Sequence, residues 1–156
     1  MKIRRHTKQD YPAIAKLRWL LKSDDSMGET GPAERAFVSR YLKHLRQADA
    51  SGDTTHWLVE LDGKVVGVMT VRKVKKEPSP TAEAGRWGYL TNSVVLPGLR
   101  NRGYGTRLLE HIKTWAIAEG YELLVVWPSE RSYDFYRRAG FKGQDDPLQL
   151  ELLPDS

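Results

Sequence analysis

The stretch VVLPGLRNRGYGTRLLEHI, Val94 to Ile112, constrains the fold more than any other part of the chain. An apolar run ends at Pro97-Gly98, and two glycines then stand one residue apart at Gly103 and Gly105. An amphipathic pattern follows, with Leu108, Leu109, Ile112, Trp115 and Ala116 on one stripe. The spacing predicts a strand that turns tightly into a helix over about Gly105 to Glu119, with Gly120 as its stop. Ordinary helix starts favour Ser, Asp or Asn as a cap and acidic residues in the first turn. Here Arg100, Arg102 and Arg107 cluster instead. A helix start presents unpaired N–H groups and the positive end of its dipole, and glycine lets the backbone approach a ligand closely. Arginines add charge-assisted donors. Together these features predict a phosphate or pyrophosphate site. A dinucleotide fingerprint would need a third glycine where Leu108 stands, and a P-loop would need Gly-Lys-Ser/Thr after its glycines.

The remaining elements are legible at coarse grain. Residues 2–5 read as a short strand, and DYPAIAKLRWLLKS as a helix with Asp10 as its cap and Pro12 in its first turn. PAERAFVSRYLKHLRQA reads as a second helix, and HWLVELDGKVVGVMTVRKV as a hairpin around Asp62-Gly63. RWGYLTNSVVL is the strand before the glycine turn. YELLVVW is a continuous apolar strand, expected to be buried on both faces. SERSYDFYRRAGF reads as a short helix closed by Gly140, and PLQLELL as a last strand.

With 156 residues and neither repeat nor linker, a single domain over 1–156 is expected. The chain has no cysteine, which excludes disulfides, a thiol nucleophile and cysteine metal sites. No apolar run approaches the ~20 residues of a membrane span, and the start MKIRRHTKQD has no apolar signal core. A cytoplasmic location is therefore expected. His6, His44, His56 and His111 show no metal-ligand spacing with one another, His111 is expected on an exposed helix face, and no metal is expected. The net charge of +5 suits an anionic partner. Against that trend, Ser23 to Glu34 carries Asp24, Asp25, Glu29 and Glu34 with no basic residue.

The wider pattern resembles a family. VVLPGLRNRGYGTRLLEHI is similar to motif A of the GCN5-related N-acetyltransferases (GNAT), whose core Arg/Gln-x-x-Gly-x-Gly/Ala is met by Arg100, Gly103 and Gly105. About thirty residues on, Phe135, Tyr136, Gly140 and Phe141 resemble the end of the family's motif B. The order of elements agrees across nearly the whole chain. The resemblance implies an α/β (α+β) GNAT fold: a central mixed, mostly antiparallel sheet of six to seven strands flanked by about four helices. One departure is Ser129, where many members carry Asn; serine can cap the short helix instead.

The resemblance implies acetyl-CoA as the acyl donor. Its pyrophosphate would sit on the turn formed by Arg100, Asn101, Arg102, Gly103, Tyr104, Gly105 and Thr106, with Ser129 as a further contact in question. Its pantetheine arm would pair with the backbone at Val94 and Val95, as an added strand does. A backbone N–H near Val95 would polarise the thioester carbonyl. Tyr136 would be the general acid that protonates the leaving thiolate, and a contact to the donor; Tyr133 is a weaker candidate. The positions that carry a Glu or His base in relatives fall on Tyr89 and Thr91, neither of which is a base at neutral pH. Either a carboxylate acts through water, with Glu29, Glu34 and Glu83 as sources, or the acceptor amine is already partly neutral.

In the family the first two helices and their loop wall the acceptor site. Glu29 and Glu34 there, with Asp145 and Asp146 opposite, favour a small cationic amine, such as a polyamine or amino-sugar, with Tyr89 lining the pocket. Trp19, Trp57 and Trp87 are further aromatic candidates. Alternatives are a protein or peptide N-acetyltransferase, a toxin acting on aminoacyl-tRNA, and a non-catalytic acyl-CoA sensor. A nucleic-acid partner is not favoured, no membrane partner is expected, and a homodimer is compatible with the family.

Overall fold

The structure, a computed structural model, describes residues 1–23, 31–83, 85–143 and 148–152. Its regular elements run β1 (Lys2–Arg5), α1 (Tyr11–Lys22), α2 (Pro32–Ser51), β2 (Thr54–Leu61), β3 (Lys64–Lys75), β4 (Arg86–Val95), α3 (Tyr104–Ala118), β5 (Leu123–Val126) and α4 (Tyr133–Arg138). The five strands form one mixed sheet in sequence order. The first four pair antiparallel, and β5 returns parallel to β4 through α3. No helix among the described residues is long and apolar enough to cross a membrane.

Local sequence accounts for the hairpin. Asp62 and Gly63 both take positive φ, 48° and 77°, which a two-residue turn between twisted strands requires. Asp10 precedes α1, but its side chain does not cap that helix. Its carboxylate instead accepts two bonds from Arg4, at 2.8 and 2.9 Å, and one from the Thr7 N–H at 2.6 Å. Arg4 also donates to Glu60 at 2.7 Å, so β1, β2 and the start of α1 share one ionic fastening.

Two apolar clusters sandwich the sheet. On one face Tyr11, Ile14 and Leu17 of α1 and Leu45 of α2 pack on Leu58, Val68 and Val94. On the other, Leu108, Leu109 and Ile112 of α3 and Tyr136 of α4 pack on Trp57, Val59, Met69, Val71 and Leu90. Each fully buried Leu or Ile in these layers contributes roughly 1.5–3 kcal/mol through burial.

Leu90 and Val94 belong to opposite clusters although both are even-numbered residues of one strand. The cause is a bulge. Thr70 pairs with Thr91 and Val68 with Val94, so Asn92 and Ser93 together face Met69. Asn92 takes φ 49°, and the strand changes faces there.

Two expectations are corrected at the β5 side. Tyr121–Trp127 is not buried on both faces: β5 is the edge strand among the described residues, and Leu123 and Trp127 are 43% and 57% exposed. An apolar run there reads as central only if something covers its far edge. The expected strand PLQLELL is also not seen. Its described part, 148–152, has no strand pairing, and Leu148, Leu150 and Leu152 face solvent. The sheet therefore has five strands among the described residues rather than six to seven.

Candidate active site

The glycine turn is built by backbone conformation. Gly103 takes φ 82° and ψ 2° at the position before α3, a conformation that costs other residues about 1 kcal/mol or more. A Cβ there would meet nothing within 4 Å, so the dihedral alone calls for glycine. Asn101 also sits at positive φ, 61°, which asparagine tolerates. No side chain caps α3 and no acidic residue stands in its first turn, so its leading N–H groups point at whatever occupies the turn. Arg100 braces the turn from within, its Nε donating to the Val95 carbonyl at 3.2 Å.

A groove of about 670 Å³ runs along this turn. Val94, Val95, Arg100, Asn101 and the turn from Gly103 to Thr106 form one wall. Arg131, Phe135 and Arg138 form the other. Sequence reasoning alone misses Arg131 and Arg138; they sit on the α4 segment, whose approach to the turn only the tertiary fold creates. Arg102 is exposed and does not line the groove. Arg107 is exposed and reaches towards Met1 instead.

Strands β4 and β5 pair only as far as Leu90 and Val126. Beyond that point they splay, and the β5-facing backbone of β4 has no strand partner among the described residues from Thr91 onward. A slot of about 310 Å³ opens there, with Tyr89, Thr91, Asn92, Ser129 and Tyr136 among its walls. Ser93, Arg131, Ser132 and Phe135 line both slot and groove, so the two are continuous. The slot adjoins a pocket of about 300 Å³ beneath α1 and α2, lined by Arg18, Tyr41, His44 and Arg72. Arg18, Tyr89, Thr91 and Asn92 are common to slot and pocket.

Tyr136 is 5% exposed and packs edge-on against Phe135 and Phe141. Burial pushes its phenol above the ordinary value of 10, with Ser93 opposing the shift. It therefore remains a protonated donor at neutral pH. Tyr133 is exposed, carries Arg137 over its ring, and lines neither slot nor groove. Ser129 precedes the short turn before α4, but its hydroxyl makes no cap bond and meets the Ser132 hydroxyl at 2.9 Å.

Asn92 is a site residue that sequence reasoning misses. It is 4% exposed, and both Nδ2 and Oδ1 are buried with no partner among the described residues. An unsatisfied buried amide costs about 1–3 kcal/mol per group. The residue stands on the wall common to slot and pocket, with those two atoms covered by protein.

The acidic wall does not form as expected. Glu34 is buried and paired with Lys16, and it lines none of the three cavities. Asp24, Asp25, Glu29, Asp145 and Asp146 lie outside the described residues. Glu83 is exposed and lines none of the cavities. Among the described residues the charged groups around slot and pocket are Arg18, Lys22, Arg72 and Arg131, all basic. Of the aromatic candidates only Tyr89 lines these cavities: Trp57 is in the core and Trp19 packs on Phe37.

Comparison with known proteins agrees with this architecture. The model of the acetyltransferase (GNAT) family matches residues 14–141. A protein from Clostridium acetobutylicum described as a predicted acetyltransferase, crystallised with acetyl-CoA, is 19% identical with a TM-score of 0.77, covering 97% of this chain and 96% of that one. Glucosamine-6-phosphate N-acetyltransferase from Arabidopsis thaliana is 17% identical with a TM-score of 0.72, covering 97% of each chain. An aminoglycoside acetyltransferase from an uncultured soil metagenomic sample, in complex with trehalose, is 16% identical with a TM-score of 0.73, covering 99% of this chain and 96% of that one. At these identities the likeness is one of fold. No curated protein sequence matches the chain.

Proposed function

The chain belongs to the acetyltransferase (GNAT) family, and on that premise we propose that it transfers the acetyl group of acetyl-CoA to the primary amine of a small molecule that also bears an anionic group. The observation that carries this reading is the passage from groove to slot to basic pocket, with the unpartnered Asn92 amide on its wall. The donor's phosphates suit the uncapped start of α3 together with Arg131 and Arg138. Its pantetheine amides suit the edge of β4 at Val94 and Val95, which has no strand partner on that side among the described residues. The thioester then lies in the slot, within reach of Tyr136.

The acceptor enters from the α1 and α2 side, where Arg18 and Arg72 receive its carboxylate or phosphate. These cations also act on its nitrogen. A bound ammonium beside like charges has a lowered pKa, so a larger fraction is the neutral nucleophile. This removes the need for a basic side chain at Tyr89 or Thr91. Burial, with Arg72 and Arg18, holds the pocket's His44 below the ordinary imidazole value, which disfavours its protonated form, so the proton released by the amine passes to solvent. The amine nitrogen attacks the thioester carbonyl carbon, and the C–S bond breaks. The sulfur takes a proton from the Tyr136 hydroxyl, which is restored from solvent. The products are the acetamide and free coenzyme A.

The test is acetyl-CoA-dependent thiol release across amines, read with a thiol reagent; the chain has no cysteine to give background. Amino acids and amino-sugar phosphates are expected to turn over, and polyamines and aminoglycosides to lag. Arg18→Ala and Arg72→Ala are expected to raise the acceptor KM about tenfold or more while leaving the acetyl-CoA KM unchanged. A preference for polyamines, unaltered by those substitutions, would overturn the anionic-acceptor assignment.

A further inference from the structure

At the inner wall of the basic pocket, the fold brings together three metal-ligating side chains that lie far apart in sequence. The His6 N–H donates to the His56 carbonyl at 3.0 Å, extending the β1–β2 ladder by one residue. The two imidazoles meet edge to face, with centroids 4.7 Å apart. Asp49, in the last turn of α2, sets its carboxylate oxygens 2.9 and 3.0 Å from His6 Nε2. One donor atom from each of His6, Asp49 and His56 lies within 4.8 Å of the others.

The cluster has donor atoms to spare. His56 is 1% exposed, and its Nδ1 is engaged by the Thr70 hydroxyl at 2.7 Å. Its Nε2 is buried with no partner among the described residues, as is Nδ1 of His6. In the tautomer whose Nδ1–H donates to the Thr70 hydroxyl, Nε2 presents its lone pair. The Tyr11 hydroxyl bonds Asp49 and orients it. A histidine fixed through its second nitrogen and a carboxylate held by a hydroxyl are the outer supports that metal ligands characteristically have.

We propose that His6, Asp49 and His56 form a binding site for a divalent transition-metal ion of the zinc and cobalt class. Two imidazoles and one carboxylate match those ions rather than magnesium or calcium. Ligand atoms on a tetrahedral zinc ion stand roughly 3.4 Å apart, so His56 needs to draw closer to the other two, whose atoms lie within 4.8 Å, while the His6–Asp49 pair at 2.9 Å opens slightly. Binding displaces the proton shared by His6 and Asp49, and water completes the coordination. His56 also lines the 300 Å³ pocket, which gives an entry path. The ion would pin the end of β1 and the end of α2 to β2.

The experiment titrates the full chain, first stripped with a chelator, with cobalt chloride and then zinc chloride. Expected are the visible absorption of four-coordinate cobalt saturating at one ion per chain, its displacement by zinc, and a raised melting temperature. His6→Gln and Asp49→Asn are each expected to weaken binding at least tenfold, whereas His111→Gln leaves it unchanged. Because a buried substitution can disturb folding, the imidazole nitrogen spectrum of the unaltered protein is recorded as well; zinc is expected to shift the His6 and His56 rings. No saturable binding, or shifts confined to His44 and His111, would overturn the assignment.

Discussion

The carboxylate of Glu34 lies against the ammonium of Lys16 and joins α2 to α1. Glu34 is 5% exposed, while the Lys16 side chain keeps 47% of its surface. The pair therefore fixes the two helices rather than presenting charge to an acceptor. Glu34→Gln is expected to lower stability by about 1–2 kcal/mol and to leave the acceptor KM unchanged. Thermal unfolding and steady-state kinetics separate the two effects. A raised KM with full stability would place Glu34 in contact with the acceptor.

Removing the hydroxyl of Tyr136 leaves its ring packed between Phe135 and Phe141. Tyr136→Phe is expected to cut kcat at least tenfold while acetyl-CoA still raises the melting temperature as before. Near-normal turnover in that variant would remove Tyr136 from the mechanism.

Gly103 and Gly98 make an informative pair. A Cβ at either position meets nothing within 4 Å, but only Gly103 sits at positive φ. Gly103→Ala is expected to cost about 1–2 kcal/mol and to weaken acetyl-CoA binding, because the turn relaxes away from its donor geometry. Gly98→Ala should leave both close to normal. Equal behaviour of the two variants in calorimetry would show that the dihedral is unimportant.

Arg4 holds the Asp10 carboxyl well down, at about 2, with the Thr7 N–H helping. A depressed carboxylate stabilises the fold above its unfolded pKa and loses that contribution as pH falls through the folded value. Stability from this group is thus complete at neutral pH and disappears between about pH 4 and pH 2, amounting to roughly 2 kcal/mol. Denaturant midpoints measured across that range should fall steeply, and Arg4→Ala should flatten the curve. An unchanged slope in the variant would assign the acid sensitivity to other carboxylates.

What could be read from the sequence was local. The strand, glycine turn and α3 were legible because Gly103, Gly105 and the Leu108–Leu109–Ile112 stripe act over a few residues, and Asp62-Gly63 marked its own hairpin. Features that depend on pairing were hidden. The bulge at Asn92 exists only because β3 offers one residue, Met69, opposite two. His6 and His56 become neighbours through a strand ladder, so their separation along the chain concealed them. The edge position of β5 made an apolar run look central. The lysine that claims Glu34 came from a different helix, so the carboxylate looked free in the sequence.

The bulge at Asn92 lets one strand serve two compartments. Before it, Tyr89 and Thr91 line the pocket beneath α1 and α2; after it, Ser93 and Val95 line the groove along the glycine turn. Under the proposed function, a change of side chain on α1 or α2 is expected to alter which amine is accepted without disturbing how the thioester is held. On that reading the two halves of the reaction diversify independently, with the bulge at Asn92 marking where one strand passes from one compartment to the other.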